Sequence, residues 1–229
     1  MRKWFDIRAS GADGADVHIY DEIGGWGINA KQFQQELEEK QAKRLNVYIN
    51  SPGGDVFNGI AIHSILSRMD VTVHIDGLAA SIASVIAMAG KKIIMPENAM
   101  MMVHNPLTWT AGNADELREQ AELLDKIAWQ MAGIYADRTG RSRGQCLEDM
   151  DAETWMTGDE AVLMGYADEL SAPVNLAACS KFAEYGQMPA RIRKRFSACG
   201  DDAGARKKRL SGDLTALTAL KTQFDLIHF

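Results

Sequence analysis

The order of apolar and polar positions divides the chain into alternating strands and helices. DVHIYDEIGGWG reads as a strand running into a glycine turn. NAKQFQQELEEKQAKR then reads as an amphipathic helix with Phe33 and Leu37 on one face. LNVYINSPGG is a strand that ends in a Pro-Gly-Gly turn. FNGIAIHSILSRM has helical spacing, VTVHIDG is a β-branched strand, and the apolar stretch GLAASIASVIAMAG, residues 77–90, supplies the next helix. KKIIMPENAMMMVH gives two short strands about a Pro-Glu-Asn turn. This alternation predicts an α/β fold with largely parallel strand pairing.

Residues 114–137 form the longest periodic segment. Leu117, Ala121, Leu124, Ala128, Met131 and Tyr135 recur at three- and four-residue steps, which predicts a long helix with a narrow apolar seam. The pattern alone suits covering the chain's own sheet at least as well as facing a partner. TGDEAVLMGYADEL opens on a capping box, Thr157 with Glu160, and its helix ends at Gly165.

Composition adds a boundary. The chain has 229 residues and a net charge of −6, which gives no general reason to expect nucleic-acid binding. Residues 1–188 hold 16 Lys and Arg against 27 Asp and Glu, a net of −11, whereas residues 189–229 hold 9 against 4, a net of +5. The segment from Pro189 onward is charged, small and weakly periodic. It reads as a flexible basic tail with a short terminal helix over LTALTALKTQFDLI. Its basic clusters, 191–195 and 206–209, read as a solvated linker ahead of a nucleic-acid or acidic-partner contact. Cys146, Cys179 and Cys199 are odd in number and widely spaced, which fits free thiols in a reducing cytosol better than disulfides or zinc. The N-terminus has no apolar h-region, and residues 77–90 are too short and too broken by Gly and Ser to span a bilayer. The expected location is cytoplasmic, with no membrane partner.

Acyl-transfer chemistry needs a hydroxyl nucleophile, an imidazole base, a group that orients the imidazole, and amide donors for an oxyanion. Ser81 sits at a strand-to-helix junction among the small residues Ala79, Ala80 and Ala83. On this stretch alone a helix cap is the stronger reading, and a nucleophile at the positive end of a helix the other. His104 ends an apolar strand and is followed by Asn105 and Pro106. His63 on a helix and His74 inside a strand read as structural. NSPGGD, residues 50–55, puts two glycines after a strand, as a simple turn or as amides aimed at a ligand.

YINSPGGDVFNGIAIHSIL, GLAASIASVIAMAG, MPENAMMMVHNP and ETWMTGDEAVLMGYAD, taken together, resemble the ClpP family of serine peptidases. The resemblance is strongest to the ClpP-like proteases of tailed phages and prophages that act in head maturation. The four motifs keep the family's order and span roughly residues 16–172. The resemblance implies a superhelix of strand-strand-helix units, shared with crotonases, and a projecting handle helix that mediates ring-to-ring contact and matches residues 114–137. It implies Ser81 as nucleophile, His104 as base, and the Gly53–Gly54 turn with the Ile82 amide as oxyanion hole. The third position is an aspartate in the chambered members. It aligns here with Glu153, and Asp151 lies two residues earlier. No metal or cofactor is implied.

The expected domain is residues 1–188, a serine endopeptidase that assembles into rings and acts on polypeptides, with capsid or scaffold proteins as partners. Three alternatives stand beside that activity. One is a housekeeping ATP-dependent subunit that works with an AAA+ ATPase, against which the short start MRKWFDIRA argues. The others are a crotonase-type acyl-CoA enzyme, which needs no serine–histidine pair, and a catalytically silent assembly protein.

Overall fold

The computed structural model describes residues 3–173. The expected basic tail, the boundary near Pro189, Cys179 and Cys199 lie outside the described residues.

An eight-stranded sheet forms the centre, with β1 Phe5–Ser10, β2 Gly14–Ile19, β3 Arg44–Ser51, β4 Asp70–Ala80 and β5 Lys92–Pro96 as its first five strands. The last three are β6 Met100–Val103, β7 Thr154–Thr157 and β8 Glu169–Ser171. The path runs β1-β2-β3-β4-β5-β8. β1 and β2 form an antiparallel hairpin, and the neighbours from β2 through to β8 pair in parallel. The helices are α1 Ala30–Lys40, α2 Val56–Leu66, α3 Ile82–Ala87, α4 Ala114–Thr139, α5 Arg143–Asp151 and α6 Gly158–Leu163. This is the α/β architecture that the alternation predicts. Among the described residues no helix is long and apolar enough to cross a membrane.

Strand alternation sets the layers. Leu45, Val47 and Ile49 of β3 and Val71, Val73 and Ile75 of β4 are buried on one face. Phe33 and Leu37 of α1 and Ile62 and Leu66 of α2 are buried in the same core. On the opposite face the rings of His18, Tyr48 and His74 stack across β2, β3 and β4 with centroids 4.8 Å apart. His74 is thus a packed sheet residue, and His63 lies in α2.

The second half of β4 departs from this pattern. Its first half pairs with β5, from Thr72 to His74, and its end pairs in parallel with β6, from Leu78 to Ala80. Gly77, Leu78, Ala79 and Ala80 are all buried. Residues 77–80 therefore extend the strand up to the junction expected at Ser81, and within the apolar stretch 77–90 the helix is Ile82–Ala87. The small residues before Ser81 let this strand end lie between two others. β7 then pairs antiparallel with β6, Val103 opposite Thr154.

α4 has 26 residues and a capping box at Asn113 with Glu116. Its seam is divided. Ala128, Met131 and Tyr135 are buried in the core, whereas Leu117 is 44% exposed, and Leu123 and Trp129 are exposed beside the seam. α5 was not anticipated, although Ser142 with Gln145 is a capping-box signature that marks it.

Close approach at Gly59 ties α2 to α3. A Cβ there would lie 2.1 Å from Cγ1 of Ile82. Gly59→Ala is expected to lower stability by roughly 1–3 kcal/mol, the usual range for overpacking a filled core. Urea denaturation of the two proteins checks this, and equal midpoints would contradict the packing described.

Candidate active site

β4 delivers Ser81 in an unusual backbone conformation, φ 57° and ψ −131°. Such a conformation in a non-glycine residue costs on the order of 1–3 kcal/mol and persists only where its surroundings enforce it. Three hydrogen bonds do so. The Ser81 N–H donates to the Met102 carbonyl at 3.0 Å. The Ser81 carbonyl accepts from the Ser84 N–H at 3.0 Å and from the Ser84 hydroxyl at 2.6 Å. Ser81 occupies the N-cap position of α3, but its side chain makes no capping hydrogen bond. Its Oγ instead lies 2.7 Å from Nε2 of His104. The cap reading, stronger on local sequence, gives way to this contact across 23 residues.

His104 follows directly on β6. Burial holds its imidazole below the usual histidine range, and the Glu153 carboxylate acts in the opposite direction. The ring is therefore neutral at neutral pH. With the proton on Nδ1, Nε2 accepts from the Ser81 hydroxyl.

The β6–β7 register places Glu153. Val103 pairs with Thr154 in an antiparallel ladder, so His104 and Glu153 are the next residues out on their two strands. Glu153 has φ 47°, and its carboxylate accepts the Trp155 indole N–H at 3.0 Å. Asp151 ends α5 and accepts from the Asn105 amide at 2.7 Å. The structure thus brings Ser81 and His104 into hydrogen-bond contact and sets the Glu153 charge to act on His104. It turns Asp151 toward the residue after the histidine. A groove of about 520 Å³ lies beside Asn105 and is lined in part by Pro106, Leu124, Ala128, Trp129 and Asp151.

The Pro-Gly-Gly turn meets the same point. A Cβ on Gly53 would lie 2.7 Å from Cβ of Ser81, and one on Gly54 would lie 2.2 Å from the Ile23 carbonyl oxygen. Both glycines have positive φ, 107° and 140°. Ser51, fully buried, donates to the Asp21 carbonyl at 2.7 Å and accepts from the Gly53 amide at 3.2 Å. The bridge to Ile23 uses the Gly53 carbonyl and the Asp55 amide, so the Gly54 N–H stays out of that pairing. Ser51 and Ser84 went unassigned in the sequence, because a buried hydroxyl in an apolar run carries no pattern of its own.

His104 should titrate by NMR with a midpoint below about 6.5, the usual histidine value, because burial disfavours its charged form. Glu153→Gln removes the one charge that favours imidazolium and should lower the midpoint further. An unchanged or raised midpoint in Glu153→Gln would show that this carboxylate does not act on the ring.

Comparisons with known proteins agree on one family. The family model described as Clp protease matches residues 7–173. The ATP-dependent Clp protease proteolytic subunit 2 of Tropheryma whipplei (strain Twist) is 38% identical over 130 residues, 54% of this chain and 71% of the relative. The ATP-dependent Clp protease proteolytic subunit of Chlorella vulgaris is 36% identical over 138 residues, 58% of this chain and 68% of the relative. That of Oltmannsiellopsis viridis is 35% identical over 138 residues, 58% and 70% of the two chains. With a serine and a histidine in hydrogen-bond contact inside the matched region, the chain belongs to the Clp protease family and is a serine-type peptidase.

Proposed function

We propose that Ser81, His104 and Glu153 form the catalytic triad of an endopeptidase that cleaves polypeptides. The observation that carries this reading is the 2.7 Å contact between Ser81 Oγ and His104 Nε2, made by a serine whose side chain is withheld from helix capping. In the reaction, Ser81 Oγ attacks the scissile carbonyl carbon while His104 takes its proton at Nε2. The tetrahedral oxyanion accepts hydrogen bonds from the glycine turn at Gly53–Gly54 and from the Ile82 amide. His104 gives the proton to the leaving amine, the C–N bond breaks, and an acyl-enzyme remains. Water, deprotonated by His104, then releases the acid and restores Ser81. The Glu153 charge favours the imidazolium that forms between these steps.

The finer reading is that the enzyme processes capsid or scaffold proteins during phage head assembly. Its support is the resemblance of the four motifs to phage and prophage ClpP-like proteases. The names of the relatives, ATP-dependent proteolytic subunits, support equally a subunit that works with an AAA+ ATPase. Assembly into rings belongs to both readings. It is supported by the exposed apolar residues on the N-terminal half of α4, Leu117 and Leu123.

Ser81→Ala should abolish peptide hydrolysis and labelling by a fluorophosphonate, a loss of several orders of magnitude, while the fold remains. Turnover near that of the wild type would overturn the assignment. Intact-mass measurement after mixing the protein with capsid and scaffold proteins tests the finer reading. Fragments made by the wild type and not by Ser81→Ala support it. Cleavage of an unfolded substrate only with an ATPase and ATP would favour the other.

Leu117→Glu should reduce the assembled mass in light scattering and leave the circular dichroism of the subunit unchanged, since the side chain is exposed in the single chain. A wild-type protein that is monomeric at micromolar concentration would remove the ring proposal.

A further inference from the structure

Ser84 and Tyr135 form a buried polar chain that the peptidase mechanism leaves unused. Both are fully buried, and the Tyr135 hydroxyl lies 2.8 Å from Ser84 Oγ. The direction of this chain follows from its end. The Ser81 carbonyl can only accept, so the single Ser84 hydroxyl proton goes to it at 2.6 Å. Ser84 Oγ must then accept from Tyr135. Burial pushes the Tyr135 phenol well above its usual range, so that proton is always present to donate. The chain therefore runs from Tyr135 O–H to Ser84 O–H to the carbonyl of Ser81. Its origin is fixed in turn, because the Tyr135 ring packs edge-on against Tyr166 with centroids 5.5 Å apart.

The carbonyl at the end of this chain shares a rigid plane with the Ile82 N–H. In a trans peptide the two groups point in opposite directions, and the plane cannot twist without large cost. Whatever fixes the Ser81 carbonyl therefore fixes the aim of the Ile82 amide. Hydrogen bonds in series also polarise one another, so a carbonyl that accepts from a donor chain makes its own amide a stronger donor. The Ser84 N–H, at 3.0 Å, accepts part of this task, but it belongs to the same short helix as Ile82 and moves with it. Tyr135 comes from α4 and anchors the plane to a separate element.

We propose that Ser84 and Tyr135 are positioning residues that hold the Ser81–Ile82 peptide so that the Ile82 amide points at the developing oxyanion. This rests on the triad assignment proposed above, and it adds a device that reaches the oxyanion hole from the core end of the long helix. Ser84 and Tyr135 touch no substrate, and their effect passes through one peptide plane.

The test uses the full chain, a fluorogenic peptide and a peptide boronate whose tetrahedral serine adduct occupies the oxyanion position. Ser84→Ala is expected to lower kcat by about 10- to 100-fold, somewhat less than loss of an oxyanion donor itself, with KM changed by less than about twofold. Boronate affinity should fall in proportion to kcat, and the acidic limb of the pH–rate profile should not move, because His104 is untouched. Tyr135→Phe should give a smaller loss of the same kind, and the double variant should be no worse than Ser84→Ala alone. An unchanged kcat in Ser84→Ala overturns the proposal, as does a loss confined to KM or a displaced acidic limb. If melting shows Ser84→Ala unfolded at the assay temperature, Tyr135→Phe decides, and an unchanged kcat there is equally fatal. Ser81→Ala in parallel separates the two levels. If it still turns over, the triad is wrong. If it is dead beside a fully active Ser84→Ala, only the positioning role falls.

Discussion

The hydrogen bond from the Ser81 amide to the Met102 carbonyl is the contact on which the site depends. It exists because β4 runs past the end of its pairing with β5 and takes β6 as a new neighbour from Leu78 to Ala80. One strand thus serves two ladders in succession. β6 also pairs with β7 on its other side. A four-residue strand is thereby placed between the segment that carries Ser81 and the segment that carries Glu153, with His104 as its next residue. Backbone pairing, which is insensitive to side-chain chemistry, does most of the positioning. The side chains of Ala79, Ala80 and Ala83, all fully or nearly fully buried, make room for that crossing.

The glycine turn completes the arrangement from the opposite direction. Its two residues lie closer to Ser81 and Ile23 than any side chain allows, so the turn and Ser81 are pressed together without intervening atoms. Ser51 holds the base of the turn through its own hydroxyl, and the bridge to Ile23 holds its far end. An oxyanion stabiliser must be aimed before charge develops, since donors that reorganise during reaction lose much of their advantage. In the mechanism proposed above, two independent clamps on the turn and two hydrogen bonds to the Ser81 carbonyl would serve that requirement.

Much of this was legible in the sequence, for reasons that differ by element. Strands β2, β3 and β5 and helices α1 and α2 announce themselves through periodicity and caps, because each buries one face against a single core. Residues 77–80 carry no alternation, because both faces of that strand end are buried, and only the junction at Ser81 marks where strand gives way to helix. The pairing of Ser81 with His104 was carried by family motifs. No local pattern specifies a contact over 23 positions, and local rules favour a cap that the structure does not form. The seam of α4 was visible, but its division into a buried half and an exposed half depends on where the sheet stops, which periodicity does not encode. The Tyr135–Ser84 chain was invisible for a related reason. A tyrosine on a helical seam reads as core, and only the folded chain shows where its hydroxyl goes.

Backbone strain bears on the choice between the two carboxylates. Only Gln41, Ser81 and Glu153 combine a side chain with positive φ among the described residues. Gln41 has a local explanation, since it is the left-handed cap that ends α1. The other two flank His104, one in hydrogen-bond contact and one across the β6–β7 ladder. Left-handed backbone at Glu153 allows the chain to turn from α5 into β7 within one residue beyond Ala152. A glycine or asparagine would make that turn with less strain. A glutamate there keeps a carboxylate opposite the histidine, where aspartate would hold it one methylene nearer the backbone. Asp151, still inside α5 and bonded to Asn105, sits two residues too early in the chain to face the ring across the ladder. The ladder register, more than carboxylate chemistry, is what favours Glu153 over Asp151 in the triad proposed above.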